Sequence, residues 1–246
     1  MKYENISIVC CYTSKDKLSY LARSLDRQDL PVERVFVDNA EGQFSSASCA
    51  LNYGASRSTG DLILFCHQDI KFKHNDSLRR LVAELSILNS GDVGGVAGAI
   101  SGKTFTRITH GNDEEPYPIE ASFPNESIRV ETVDECLIIL PRTTWENHRF
   151  NEDVCDGWHF YGVEQSLFAL ANNRNVYVFD ADVNHLSSRG SIDNSYFRAL
   201  RRIMKAFKQF DYISTTVGYW PRRFLELVIV KRKIKERMRS VSMAKN

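Results

Sequence analysis

The segment Asp61–Ile70, DLILFCHQDI, sets an apolar run (Leu62 to Cys66) directly ahead of His67, Gln68 and Asp69. An imidazole, an amide and a carboxylate therefore leave one strand end together. Apolar residues bounded by turn formers predict a buried strand. A strand that is greasy on both faces belongs to a sheet covered by helices on both sides. In such sheets ligands sit at the carboxyl ends of the strands, and the trio lies at one. Taken alone, it fits equally a plain loop start with a capping Asp and a surface His. Two other stretches carry comparable chemistry. NHLSSRG (Asn184–Gly190) offers His185 with Ser187, Ser188 and Arg189, which suit phosphate oxygens, Arg through a charge-assisted fork. CDGWHFYGVEQSL (Cys155–Leu167) mixes Asp156 and Glu164 with Trp158, His159 and Tyr161. Its plain reading is two core aromatics and a helix-start carboxylate favoured by the dipole.

The elements that must hold these groups alternate. ISIVCCYTS (Ile6–Ser14) and RVFVDNA (Arg34–Ala40) predict strands, the second ending in Asp38 and Asn39. Between them Leu18, Leu21, Ala22 and Leu25 keep helical spacing. Ala47, Ala50, Gly54 and Ala55 suit a helix lying close on a sheet. Leu78, Leu81, Val82, Leu85 and Leu88 mark the helix after the central strand, and DVGGVAGAI predicts a fourth strand. This order implies a largely parallel α/β sheet with right-handed crossovers. Residues 102–128 lack clear periodicity, and a long irregular insert in a compact domain is more often functional than idle. VETVDECLIILPR and NVYVFDADVNH predict further strands, EQSLFALANN a helix, and the chain from Asn194 onward is helical by pattern.

Composition sets the frame. With 246 residues, 43% hydrophobic and 26% charged, the chain reads as one ordinary globular domain with at most a small appendage. No stretch is long and apolar enough to span a bilayer, and the start lacks a signal-peptide pattern. The six cysteines contain no C-x-x-C pair. They predict reduced thiols in a cytoplasmic protein, with neither disulfides nor a zinc site. Residues 198–246 hold fourteen Lys or Arg against three Asp or Glu. That segment carries +11 and leaves −10 for the rest of a chain whose net charge is +1. A basic tail on an acidic body suggests an anionic partner. The mixture of Phe224, Leu227, Val228 and Ile234 with basic residues favours a membrane surface. No recognised nucleic-acid fold accompanies the charge.

AGAISGKT (Ala97–Thr104) approaches the pattern G-x-x-x-x-G-K-[ST], which would make a P-loop nucleotidase if a helix followed it. Its sequel FTRITHGNDEEPYP makes a poor helix.

The order of parts resembles the family-two glycosyltransferases of the GT-A fold, over residues 5–190. ALNYGASRSTGDLILFCHQDI follows that family's helix, GD turn and strand ending in D-x-D, matching at Ala50, Asn52, Gly54, Gly60, Asp61 and Asp69. Leu51 stands where the family has Arg, and His67 replaces the first Asp of D-x-D. The resemblance implies a mostly parallel, Rossmann-like sheet flanked by helices. Residues 1–193 would form the transferase domain, about 1–100 the nucleotide-sugar half and 101–193 the acceptor half. Residues 194–246 would be a basic helical tail. Tyr12 and Thr13 would lie beside the nucleotide base, Asp38 would bind uracil, and Asn52, Ser187 and Arg189 would contact the donor. Asp69 would hold a divalent cation, Mn²⁺ or Mg²⁺, with His185 as a further ligand. His67 is either a second ligand or a contact to the ribose. Glu164, or else Asp156, would take the acceptor's proton, and Trp158, His159 and Tyr161 would line the acceptor site. The implied activity is inverting transfer from a UDP-sugar to a glycan or lipid-linked glycan, on the cytoplasmic membrane face. The alternatives are a non-catalytic binding module of the same fold and the P-loop nucleotidase.

Overall fold

A computed structural model describes residues 2–112, 116–118, 121, 126–186 and 192–243. The first half of the chain runs β1 (Ile6–Tyr12), α1 (Lys15–Asp26), β2 (Glu33–Asp38), α2 (Ala47–Ala55), β3 (Leu62–Cys66), β4 (Ile70–Phe72) and α3 (Ser77–Glu84). Short strands follow: β5 (Val93–Gly95), β6 (Ala97–Ile100), β7 (Lys103–Thr106), β8 (Thr109–His110), β9 (Tyr117–Pro118), β10 (Ile128–Arg129) and β11 (Thr132–Val133). Then come β12 (Leu137–Pro141), α4 (Arg142–Asn147), α5 (Tyr161–Ala171), β13 (Val176–Val178) and β14 (Val183–His185). The chain closes with α6 (Asn194–Ala206), β15 (Tyr212–Thr215), β16 (Gly218–Pro221) and α7 (Leu225–Met243).

Seven strands form the main sheet in the order β10-β13-β5-β12-β3-β1-β2. Five run one way, while β12 and β10 run against them. The central strand is apolar throughout because both its faces are covered. Ile63 and Phe65 join Val9, Ile138 and Leu140 in one core, with α2, α5 and α6 over them. Leu62, Leu64 and Cys66 join Ile8, Cys10, Leu137 and Ile139 in the other, with α1 and α3 over them. This two-residue alternation between buried faces is what a covered sheet requires.

Helix α2 does lie close on the sheet. A Cβ on Gly54 would stand 2.5 Å from Val9 Cγ1 and 2.9 Å from Val37 Cγ2. Overpacking costs about 1–3 kcal/mol, whereas Ala for Gly in a helix recovers about 1 kcal/mol. Contacts this short put the cost at its upper end. Gly54→Ala is therefore expected to lower the urea midpoint at unchanged m-value; an equal or higher midpoint would show that the sheet gives way.

Three readings need correction. The predicted fourth strand is two strands in different sheets, with β5 in the main sheet and β6 paired to β7 and β11. The P-loop candidate is the β6–β7 hairpin, turning at Ser101 (φ 50°) and Gly102 (φ 78°). No helix terminus follows it to cradle a phosphate, so that chemistry has no platform. The segment 194–246 is not simply a helical tail. The β15–β16 hairpin interrupts it, and Phe197, Leu200, Ile203 and Trp220 enter the core shared with β3 and α5. The hairpin went unread because helical spacing at Phe197, Leu200 and Met204 dominates the pattern before it.

Candidate metal and donor site

Parallel pairing of β1 with both β2 and β3 brings three carboxyl ends to one edge. His67 and Asp69, two residues apart, turn to one side of the chain leaving β3. Gln68 turns to the other and accepts from Thr13 N (3.0 Å) and Ser14 N (2.9 Å). It thereby ties this loop to the start of α1. His185 comes from β14, whose antiparallel register with β4 sets it opposite Ile70. His67, Asp69 and His185 can each point one ligand atom inward, all within 4.8 Å of one another. His185 Nε2 lies 3.2 Å from Asp69 Oδ1 and 3.5 Å from His67 Nδ1. Burial, then the nearby His185, lowers the His67 pKa, which favours the neutral imidazole that binds metals. Two imidazoles and one carboxylate form a donor set suited to a divalent transition ion, so the residues present fit the expected cation.

Other groups border this set. Tyr161 OH, at the head of α5, is 3.3 Å from His67 Nε2. Lys17 Nζ stands 3.6 Å from Asp69 Oδ2. His110, held opposite His185 by β8, places its ring 5.3 Å from the His185 ring. Along the same edge Asp38 accepts from Ala40 N (2.9 Å) and from Tyr12 OH (2.8 Å). Those two bonds hold its carboxyl below the usual carboxylate range.

One acidic pair at this edge was not anticipated. Antiparallel β12 sets Leu137 opposite Cys66, and Cys136 O accepts from His67 N at 3.0 Å. The residues just ahead of β12 are Asp134 and Glu135. Asp134 is held by Cys136 N (3.0 Å) and Thr216 Oγ1 (2.5 Å). Glu135 reaches the head of α5, where N–H groups of Gly162 and Phe160 favour its charged form. Burial, then Asp134, outweighs them and pushes its pKa up to about 8. Its Oε1 is buried with no hydrogen-bond partner. Phe160, a non-glycine at φ 72°, makes the turn there, the kind of local strain that clusters at functional sites.

The other expected residues divide. Trp158 is 45% exposed, and half-buried His159 packs its ring edge-on against Tyr196 at 5.5 Å. Thr13 belongs to the tie through Gln68. Ser187 and Arg189 lie outside the described residues. Asn52 is engaged within the chain: its amide gives to Phe150 O and Glu152 Oε1 and accepts from Trp145 Nε1 and Phe150 N. All four of its hydrogen-bonding positions are filled, so it clips α2 to the segment after α4. Glu164 is 1% exposed, with both carboxylate oxygens on His148 Nε2 (3.0 and 3.2 Å). His148 lines a cavity of about 230 Å³ with Ser90, Gly91 and Val93. That is the amino end of β5, the sheet edge opposite His67. Asp156 forms an exposed ion pair with Arg202. Neither carboxylate is bonded to the His67–Asp69–His185 set.

The sheet order is that of the GT-A fold. The chain superposes on GalNAc-T7 in a crystal with UDP, GalNAc and Mn²⁺, with a TM-score of 0.61 at 12% identity over 82% of this chain and 48% of that one. TarS of S. aureus in complex with UDP-GlcNAc gives 0.58 at 16% identity, over 82% and 66%. The mannosyltransferase PcManGT of Pyrobaculum calidifontis, with GDP-Man and Mn²⁺, gives 0.57 at 12% identity, over 94% and 69%. The chain thus spans about half the length of GalNAc-T7. No protein-family model matches the chain, and no curated protein matches it in sequence.

Proposed function

We propose that this chain is a metal-dependent glycosyltransferase that moves a sugar from a UDP-linked donor onto a hydroxyl of a glycan or lipid-linked glycan, with inversion. The observation that carries this reading is the His67–Asp69–His185 set on the same sheet edge as Asp38. Mn²⁺ or Mg²⁺ held there would neutralise, as a Lewis acid, the charge that grows on the departing diphosphate. Asp38, held ionised, keeps lone pairs that can accept from the base, and Tyr12 fixes its orientation. Lys17 adds a point charge for a phosphate oxygen. Trp158, His159 and Tyr161 form the acceptor wall.

The acceptor's proton needs a carboxylate oxygen at this sheet edge that is not already engaged, and the assignment moves from Glu164 or Asp156 to Glu135, whose Oε1 has no partner. A buried oxygen without a partner costs about 1–3 kcal/mol, and a hydroxyl brought to Glu135 Oε1 would relieve that cost while offering up its proton. Glu135 takes the proton while the acceptor oxygen attacks the anomeric carbon. The bond to the diphosphate breaks in line, and its electron pair leaves with the β-phosphate oxygen.

Incubation with a panel of UDP-sugars tests this, following UDP release with Mn²⁺, Mg²⁺ or chelator. Release that stops with chelator supports transfer chemistry. UDP binding without release from any donor would instead indicate a binding module, a reading favoured by the loss of the first D-x-D acid to His67.

A further inference from the structure

Helix α7 shows two opposed faces. Toward the body it buries Ile229, at 1% exposure, alongside half-buried Leu225 and Val228. Away from the body it presents Leu227, Val230, Ile234 and Met238, with Phe224 in the turn that leads into it, exposed by 54, 51, 55, 69 and 55%. With about 100° per residue, Leu227, Ile234 and Met238 fall within about 40° of one another, and Phe224 and Val230 lie about 60° to either side. These five side chains make a continuous apolar stripe pointing at solvent. Scattered exposed apolar residues are normal in a folded protein, but a contiguous patch marks an interaction surface.

Cations border the stripe. Arg223, Lys231, Lys233, Lys235 and Arg237 are all exposed. Lys231 stands within the apolar arc, and Lys235 and Arg237 flank it at about 80° on opposite sides. Of the two acids between residues 222 and 239, Glu226 is neutralised by Arg201 at 2.7 and 2.6 Å. Among the described residues no helix is long and apolar enough to cross a membrane.

We propose that the outer face of α7 docks on an anionic lipid bilayer, with the helix axis parallel to the surface. Apolar side chains would enter the headgroup boundary while the flanking Lys and Arg meet lipid phosphates and carboxylates. Charge complementarity selects this occupant. A second copy of α7 on the stripe would bring Lys231, Lys235 and Arg237 against their own kind. A nucleic acid would answer the cations and leave five apolar side chains in water. The inference rests on α7 alone and goes beyond the transferase reading, although it would hold the enzyme beside a lipid-linked acceptor.

Flotation of the full chain with vesicles tests it, using phosphatidylcholine alone and phosphatidylcholine with phosphatidylserine, without donor or metal. Wild type is expected to float with the anionic vesicles only, and high salt should release it. Ile234→Glu/Met238→Glu should stay at the bottom of the gradient with an unchanged melting temperature, because both side chains are more than half exposed. Lys231→Glu/Lys235→Glu should reduce vesicle partitioning by about tenfold or more. No flotation, equal flotation on neutral vesicles, or apolar variants that float as wild type would each overturn the proposal. So would a dimer in solution that Ile234→Glu dissociates, since the stripe would then belong to a second copy. Because the assay involves no sugar donor, its failure would leave the transferase reading intact.

Discussion

Replacing Asp69 with Ala is expected to abolish metal-dependent UDP release while leaving the fold in place. Asp69 supplies the one carboxylate of the three-residue set and holds His185 at 3.2 Å. A Lewis acid contributes several kcal/mol of charge stabilisation, and each 1.36 kcal/mol is about tenfold in rate. The loss should therefore be about 10³-fold or more. His185→Ala should fall in the same direction by less, because one imidazole and the carboxylate remain. The side chain of Asp69 is almost fully buried beside Lys17, so its removal leaves that cation uncompensated. Asp69→Asn is the companion variant that keeps shape and removes charge. Metal titration by calorimetry, together with a far-UV spectrum for each variant, separates lost binding from lost structure. Full turnover in a folded Asp69→Ala protein would remove Asp69 from the mechanism.

The second large effect is expected at Glu135. A positioned general base is worth about 10²–10⁴ in rate, so Glu135→Gln should lower kcat by that factor and leave UDP affinity unchanged. The turnover of the wild-type chain should rise with pH and level off above about 8, where the carboxyl loses its proton. Stability should move the opposite way. With its pKa raised by burial, folded Glu135 keeps a proton that the unfolded chain sheds at ordinary carboxylate pH. The stabilisation tied to that proton is complete below the unfolded value and is lost as pH rises through about 8. Glu135→Gln has no such charge to bury, so its melting temperature should gain on wild type as pH rises toward 8. A group that only braced α5 would show the stability change without the loss of kcat. If Glu164→Gln lost turnover and Glu135→Gln did not, the proton would belong to Glu164.

Much of this was legible in the sequence where one strand end carried several polar side chains. The run from Leu62 to Asp69 located the sheet, its polarity and two of the three candidate ligands. The resemblance supplied His185. What stayed hidden depended on strand direction and helix phase. Asp134 and Glu135 precede a strand, and ligands are sought after strands. Only the antiparallel run of β12 puts its amino end at the site. Glu164 lies three residues after Tyr161 on α5. One turn further along the same side of the helix, Glu164 meets His148 instead of His67. His110 sits in an insert without periodicity, and only its register with His185 gives it meaning. Asn52 matched the family motif in place, yet its four hydrogen bonds close on the chain itself, which no spacing could reveal.

The central claim is a metal-dependent site for a uridine diphosphate, and a thermal-shift screen tests it most directly. The full chain would be heated with UDP, GDP, CMP or ATP, each with Mn²⁺, Mg²⁺ or chelator. A ligand present at a hundred times its Kd stabilises the native state by about 2.7 kcal/mol. For a chain of this size that raises Tm by roughly 5–10 °C. The expected result is a shift with UDP and metal, little with UDP and chelator, and none in Asp69→Ala. A UDP shift of equal size in chelator, or no shift with any metal–nucleotide pair, would contradict it.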